Sequence, residues 1–175
     1  GVQTCALPIS AGIPLSLNTK LFTPRFALKY DVSDDANVFV SATRGFKSGG
    51  WNARGTAPVA NQPFLPEKVW SYEAGLRSEW LNRKFRFNVT AFVLDVKDLQ
   101  TPSAFVAPNG AISFITRNFA GMENKGVEAE LIYAPTDSLN LFAFIGSQNA
   151  KYKDVAASII AQQASCKASI AGTGG

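Results

Sequence analysis

Histidine is absent from this chain of 175 residues, and cysteine occurs only twice. Without histidine, the Ser-His and Cys-His arrangements of nucleophilic catalysis are excluded, and the commonest metal ligand is missing. Cys5 and Cys166 lie near opposite ends and form no CxxC pair, so the sequence indicates no metal site and supports no inferred disulfide. We therefore expect no enzyme activity, no metal site and no cofactor.

The chain also lacks long apolar runs and blocks of like charge. Apolar residues make up 46% of it, yet no run approaches the roughly 18 residues that a membrane helix needs. Lys and Arg number 17 against 13 Asp and Glu, and without a basic block this mild excess predicts no nucleic-acid partner. The composition suits a soluble all-β sandwich, or a β-barrel in which only every second residue faces lipid.

The sequence is rich in period-two alternation, which is typical of β-strands. Predicted strands occupy residues 24–32, 37–46, 69–80, 85–100, 119–133 and 139–149. Short polar turns at 33–36, 81–84 and 135–138 join them in pairs, and long loops at 47–66 and 101–118 separate the pairs. Residues 111–116 are compatible with a strand extension. This order predicts an all-β fold, an antiparallel up-and-down meander of about six long strands.

The third predicted strand has the properties of a membrane span. Trp70 and Trp80 share one face at its two ends. Ten residues at about 3.3 Å each, tilted near 40°, climb roughly 25 Å, the height of the apolar band of outer-membrane barrels. All charges of this strand lie on the opposite face, as expected if a charge facing lipid costs about 2–4 kcal/mol. A sandwich with one wet face separates charges similarly, but strand length, the tryptophan pair and the loop asymmetry favour the barrel.

This phase divides the side chains into two predicted sets. The lipid-facing set is Trp70, Tyr72, Leu76, Trp80, Phe87, Val127 and Leu131, and the lumen-facing set is Glu73, Arg77, Arg86, Glu128 and Glu130. We interpret the charged set as polar lumen residues or cross-strand ion pairs, because nothing suggests a catalytic carboxylate pair. Since about eight strands are needed to close a barrel, six strands must belong to a larger assembly.

Several short motifs resemble a known family. TRGFKSGGWN at residues 43–52 is similar to the RGFKSGGFN segment of TonB-dependent outer-membrane receptors. Residues 66–76 resemble that family's PE…YE.G segment, and residues 91–100 its AF…Y.D.Q strand, with Val96 where an aromatic is usual. NFAG at 118–121 followed by GVE at 126–128 resembles NAG…KGVE. Each motif is weak alone, and their shared order over residues 23–154 carries the resemblance.

The resemblance implies part of a 22-stranded transmembrane barrel filled by an N-terminal plug domain. It also implies uptake, powered by the TonB system, of a scarce ligand, most often a ferric siderophore, which is a small-molecule metal chelate. The implied surroundings are outer-membrane lipid and lipopolysaccharide of a Gram-negative bacterium. The plug and the TonB-contacting region are absent from this sequence, so both are expected in a longer chain.

The sequence divides into four expected segments. Residues 1–9, GVQTCALPI, match the conceptual translation of a sequencing adapter, so we expect them to be foreign to the fold. Residues 10–22 are interpreted as a loop or strand remnant and 23–154 as the partial barrel. Residues 155–175, rich in Ala, Ser and Gly, are expected to be a truncated extracellular loop.

Candidate ligand contacts lie in the predicted loops and at their edges. They are Arg44, Lys47, Trp51, Asn52, Arg54, Phe105, Phe114 and Arg117. The basic residues are suited to an anionic ferric chelate, and the aromatics to stacking on a flat ligand. The alternative is that these charges pair with the plug or with lipopolysaccharide phosphates, and that the aromatics pack the loops together.

Two other functions fit parts of the sequence. A passive porin-like channel has the same barrel without a plug, so the sequence upstream of this region would separate it from a receptor. A soluble β-sandwich binding module has the same alternation, but it predicts a monomer that needs neither detergent nor lipid.

Overall fold

Residues 16–52, 62–106, 109–157, 159–161 and 163–164 are described by a computed structural model. They form ten β-strands: β1 Arg25–Ser33, β2 Ala36–Lys47, β3 Gly50–Trp51, β4 Pro63–Phe64, β5 Glu67–Trp80, β6 Phe85–Lys97, β7 Gln100–Val106, β8 Ile112–Asn118, β9 Gly121–Thr136 and β10 Leu139–Lys153. The expected adapter at 1–9 and the candidate Arg54 lie outside these residues.

Six strands form one antiparallel sheet in the order β1-β2-β5-β6-β9-β10. Neighbours in the sheet follow one another along the chain apart from the two small sheets, β3-β4 and β7-β8, that interrupt it. The predicted all-β meander of long strands is confirmed. The strands are long. β5 spans 14 residues and β9 spans 16, whereas about 5–6 residues are usual for strands of globular sheets.

The two ends of the sheet differ, and we call them the turn end and the loop end. Tight connections at residues 34–35, 81–84 and 137–138 close the turn end. Leu81, Asn82 and Arg83 have φ angles of 56°, 55° and 66° there, a left-handed conformation that side chains with a Cβ adopt at some cost. The connections through β3-β4 and through β7-β8 leave from the loop end.

Residues 101–118 differ from the predicted loop. They include a separate small hairpin outside the large sheet, in which β7 pairs with β8 from Gln100↔Asn118 to Val106↔Ile112. The signal for it was the Asn109-Gly110 pair between apolar, β-branched segments, and Gly110 has φ 82°. The fourth strand accordingly ends at Lys97 instead of continuing to residue 100. Residues 157, 159–161 and 163–164 are helical.

The register assigns every residue of the large sheet to one of two faces, because directly paired residues point the same way. We call these the apolar face and the polar face. Near mid-span the apolar face contains the row Tyr30–Val38–Leu76–Val89–Ala129–Ile145. One residue along, the polar face contains the row Asp31–Asn37–Arg77–Asn88–Glu130–Phe144.

Aromatic rings border the apolar face at both ends. At the turn end Trp80, Phe85 and Tyr133 stand in line, with ring centroids 6.2 Å apart in each neighbouring pair. Towards the loop end Trp70 stacks on Tyr72 at 5.7 Å. Among the described residues, the rows of this face from Trp80 to Ala74 contain no charged side chain. Such a band between aromatic borders has the pattern of a lipid-facing surface.

The large sheet has almost no core of its own. The buried apolar residues of the described chain are Val96, Ile115 and Ala120, all close to the loop end. Leu28 and Ile145 on the apolar face are 68% and 74% exposed. Apolar area of this extent is stable only when lipid or protein covers it.

The first prediction concerns the apolar face. Leu76→Arg in the complete barrel protein should reduce assembly, because a cation would stand mid-way along the charge-free rows at a cost of about 2–4 kcal/mol. The measurement is the folded fraction in the outer membrane, read from heat-modifiable mobility in gels. Ser71→Arg and Thr90→Arg on the polar face are the controls and should be mild. Equal tolerance at all three positions would contradict the assigned phase.

The second prediction concerns a close approach of two strands. A Cβ atom at Gly75 would lie 2.5 Å from the Val89 carbonyl oxygen and 2.7 Å from the Phe39 ring. Gly75→Ala should therefore destabilise the barrel by about 1–3 kcal/mol. Gly146→Ala in the same row is the control, because its Cβ would meet nothing closer than Glu128 Cγ at 3.7 Å. Unfolding in urea from detergent micelles would measure both, and equal midpoints would disprove the steric explanation.

Candidate ligand-binding site at the loop end

Two segments project beyond the loop end of the sheet. The excursion consists of the described residues 48–52 and 62–66 and includes β3 and β4. The hairpin is β7 and β8, which continue from β6 and lead into β9. Asp98, with φ 56°, redirects the chain from β6 into the hairpin, and the Leu99 amide donates to the Ala120 carbonyl at 2.9 Å across its base.

Side-chain amides join the excursion to the hairpin. Asn52 Nδ2 donates to the Thr116 carbonyl at 3.0 Å, and the Thr116 amide donates to Asn52 Oδ1 at 2.7 Å. Asn118 makes the equivalent pair with Leu65, accepting from its amide at 2.7 Å and donating to its carbonyl at 3.0 Å. Each amide side chain thus bonds a backbone as a neighbouring strand would.

Gln100 extends these bonds to the end of β2. It is 9% exposed, and its Nε2 donates to the carbonyls of Ser48 at 2.8 Å and Leu65 at 3.1 Å. Its own backbone amide donates to Glu67 Oε2 at 2.8 Å. Nearby, Lys68 Nζ contacts Asp98 Oδ2 at 2.9 Å. The bases of both segments are therefore tied to the strands beneath them.

A cleft of about 300 Å³ lies between the excursion and the hairpin. Residues of both segments line it, among them Asn52, Phe64, Leu65, Thr116, Arg117 and Asn118. The Arg117 guanidinium lies over the Phe105 ring, 5.7 Å from its centroid. A planar cation beside an aromatic surface is suited to bind an anionic oxygen group.

The structure brings some predicted ligand candidates together and separates others. Asn52, Phe105 and Arg117 belong to this cleft or border it. Trp51 pairs with Pro63 in the excursion, and its Nε1 is buried without a hydrogen-bond partner among the described residues. Phe114 is 76% exposed on the other side of the hairpin, paired with Ala104.

Arg44 and Lys47 stand apart from the cleft. Arg44 is on the apolar face, where its guanidinium lies 5.8 Å from the centroid of Trp70. Lys47 is exposed at the end of β2. In the strand register it stands opposite Glu67 on the polar face. Their separation of three positions along β2 places them on opposite faces, and the prediction grouped them because both lie at the loop end.

All members of the predicted lumen-facing set lie on the polar face. Arg86 forms a cross-strand ion pair with Glu79, and Arg77 lies 5.0 Å from the Phe39 ring centroid. Asn88 Nδ2 donates to Glu130 at 2.9 Å. Glu73, Glu128 and Glu130 make no ion pair with any described residue, although Arg77 lines the same depression of this face as Glu128 and Glu130. All members of the predicted lipid-facing set lie on the opposite face.

Charged residues resume on the apolar face with Lys125 in the Tyr72 row and continue through the Trp70 row towards the loop end. The cations outnumber the carboxylates; they are Arg44, Lys68, Lys97, Lys125, Lys151 and Lys153, with Asp95 and Glu123. Lys153 Nζ donates to Glu123 Oε2 at 2.6 Å. This hydrogen bond lowers the pKa of Glu123 and raises that of Lys153, both outside the charge-free rows.

The described residues contain no cluster of His, Cys, Asp and Glu able to hold a metal ion. None of the helical residues among them forms a helix long and apolar enough to cross a membrane. Sequence reasoning missed Gln100 and Asn118 as site residues. The signal in the sequence was an amide side chain at each end of the hairpin, Gln100 at its start and Asn118 at its end.

The chain is similar in sequence to a family of membrane receptors. Residues 11–165 match the family model described as TonB dependent receptor-like, beta-barrel. The ferric-pyoverdine 358 receptor of Pseudomonas putida is 26% identical over 120 residues, 69% of this chain and 14% of the relative. The pesticin receptor of Yersinia enterocolitica is 31% identical over 102 residues, 58% of this chain and 14% of the relative.

Solved structures show the same fold. The ferric yersiniabactin uptake receptor FyuA from Yersinia pestis superimposes with a TM-score of 0.62 at 22% identity, covering 75% of this chain and 18% of that one. The alcaligin outer membrane receptor FauA from Bordetella pertussis gives a TM-score of 0.55 at 21% identity, covering 79% and 23%. The chain thus spans 14% of the length of the two curated relatives named above.

Proposed function

We propose, since this chain belongs to the TonB-dependent receptors, that it forms six neighbouring strands of a barrel that takes up a ferric siderophore. Receptors of this family lie in the outer membrane of Gram-negative bacteria. The observation that carries the proposal is the sheet itself, with charge-free rows at mid-span of its apolar face, charged side chains on its polar face and a cleft at the loop end. Two of the similar receptors are named for ferric pyoverdine and ferric yersiniabactin, which supports a metal chelate as cargo.

The polar face is proposed to line the barrel lumen and to pack against the receptor's own plug domain, in a barrel of 22 strands. The carboxylates of Glu73, Glu128 and Glu130 have no cationic partner among the described residues. A carboxylate covered by protein needs a paired charge, so the plug surface that meets them should present Arg or Lys. The TonB system would act through the N-terminal region of the receptor, and no step of this function is enzymatic.

The loop end is proposed to be extracellular, with Arg117 and Phe105 at the cleft in contact with the chelate. Asn52, Trp51 and Phe114 are proposed to belong to the segments around the cleft. Lys47 and Arg54 are proposed to attract the anionic chelate towards it. Residues 23–154 are proposed to be the barrel part, and the described residues after β10, of which 157, 159–161 and 163–164 are helical instead of the expected loop, to follow it at the same end. The family match begins at residue 11, which supports leaving residues 1–9 out of the barrel.

Uptake of iron by the complete receptor tests the function. In cells without other siderophore receptors, transport of ⁵⁵Fe as ferric pyoverdine, ferric yersiniabactin or ferric alcaligin should depend on both the receptor and TonB. Arg117→Gln should lower uptake about tenfold, the loss of roughly one charge-assisted hydrogen bond. Arg83→Gln at the turn end is the control and should leave uptake unchanged. Diffusive, TonB-independent permeation would instead support a porin-like channel, and a protein soluble without detergent would support the sandwich.

The cations at the loop end of the apolar face, in the Trp70 row and beyond it, are proposed to bind lipopolysaccharide phosphates. The apolar face meets lipid in this proposal, so these side chains stand level with the outer-leaflet headgroups. Arg44 stacks on Trp70, while Lys97 and Lys151 make no ion pair with a described residue. Free cations beside an aromatic border are suited to anionic headgroups.

Copurified glycolipid tests this partner. The double variant Lys97→Gln, Lys151→Gln of the complete receptor should retain less than about half of the lipopolysaccharide that the wild type retains, because two phosphate contacts are removed. Phosphate analysis of detergent-purified receptor measures the retained amount. The pair Arg83→Gln, Lys84→Gln removes the same charge at the turn end and should change nothing. Equal loss in both variants would refute a specific headgroup site.

A further inference from the structure

We propose that Asn52, Gln100 and Asn118 are positioning residues that hold the excursion and the hairpin as one preformed wall of the ligand site. The inference rests on the proposed function for the ligand, and on hydrogen-bond geometry for the wall. The cleft with Arg117 then exists before a ligand arrives, instead of forming around it.

The first ground for the wall is that these amides replace a missing sheet. Beyond Lys47 and Lys97 the long strands end, and the backbone of the excursion loses its ladder partners. A backbone donor or acceptor that leaves a ladder is paired instead by a side chain or by water. Asn52 and Asn118 each supply one donor and one acceptor to a single residue of the opposite segment, Thr116 and Leu65.

The second ground is that the bonds converge. The Leu65 carbonyl accepts from both Gln100 and Asn118, and Gln100 also reaches Ser48 on the other branch of the excursion. Asn118 donates in addition to the Asp98 carbonyl at the base of the hairpin. Gln100 is one of the two buried polar residues of the described chain, with Ser78. A network of this kind, fully satisfied, specifies one arrangement.

The third ground is apolar packing at the same seam. Ile115, 2% exposed, is the most buried large side chain of the described chain. It lies on β8 between Phe114 and Thr116 and lines the cleft together with Phe64 and Leu65. Polar and apolar contacts therefore act across the same boundary, and neither segment is held by the sheet alone.

The functional consequence concerns the ordering cost of binding. A site whose loops are already fixed spends less conformational entropy when a ligand binds. Arg117 extends from β8. Asn52 holds the backbone of this strand at Thr116, the residue next to Arg117. Replacing Asn52, Gln100 or Asn118 should therefore weaken binding of the ligand without changing the translocation step. In uptake kinetics, KM should rise while the maximal rate stays the same at equal receptor number.

Hydrogen exchange in the complete receptor, in detergent and without ligand, tests the wall. The amides of Leu65 and Thr116 should be protected in the wild type. Asn118→Leu should speed exchange at Leu65, and Asn52→Leu at Thr116, by about tenfold each. Gln100 accepts from neither of these two amides, yet Gln100→Leu should speed exchange at both, because the wall is one unit. Rapid exchange of both amides in the wild type would overturn the proposal.

A matched control and a transport readout separate positioning from simple stability. Asn109 Oδ1 accepts only from Ala111 at the hairpin tip, so Asn109→Leu should leave Leu65 and Thr116 protected. Gln100→Glu keeps the shape but turns the donor into an acceptor facing carbonyls, and it should behave as Gln100→Leu. The KM of ⁵⁵Fe uptake, with the three chelates above, should rise about fivefold in both variants. An unchanged KM with lost protection would refute the positioning role, and absence of uptake by the wild type would contradict the proposed function only.

Discussion

The structure depends on one constraint, the unbroken antiparallel ladder of six long strands. In hydrocarbon no water can satisfy a free N–H or C=O group, so only a continuous ladder lets a sheet cross a membrane. The ladder fixes the register, and the register sends alternate side chains to opposite faces. The charge-free rows around Leu76 and the carboxylates of Glu73 and Glu128 are two results of the same pairing. Neither face has a core, since each is completed by something outside these strands.

Where the ladder ends, other interactions replace it. At the turn end the replacement is local, and a few residues such as 81–84 reverse the chain. At the loop end the chain leaves the sheet for longer, and its backbone groups find partners in the side chains of Asn52, Gln100 and Asn118. The proposed ligand site lies at this transition because it combines exposed chemistry, Arg117 above all, with a backbone that is still fixed.

Much of the fold follows from short-range patterns. Alternation predicted each long strand to within a few residues at its ends, and the meander and the family are confirmed. The lipid and lumen assignments stay predictions, although the register gathers each set on one face. The strand expected at 111–116 is found, but its pairing with residues 100–106 was missed because apolar residues such as Phe105 and Phe114 alternate over only a few positions. Motif reading grouped Arg44 with Lys47, although residues three positions apart on one strand lie on opposite faces.

The sequence by itself determined the six long strands, the tight turns and the division of charged from apolar side chains, because these depend on period two and on turn chemistry within a few residues. Only the tertiary structure decided which residues of different strands stand in one row, and which side chains close the loop end. Gln100 reaches Ser48, 52 positions earlier, and no local pattern encodes a hydrogen bond over that separation. The cleft depends on such long-range contacts, and it exists only once the ladder has brought both segments to the same end of the sheet.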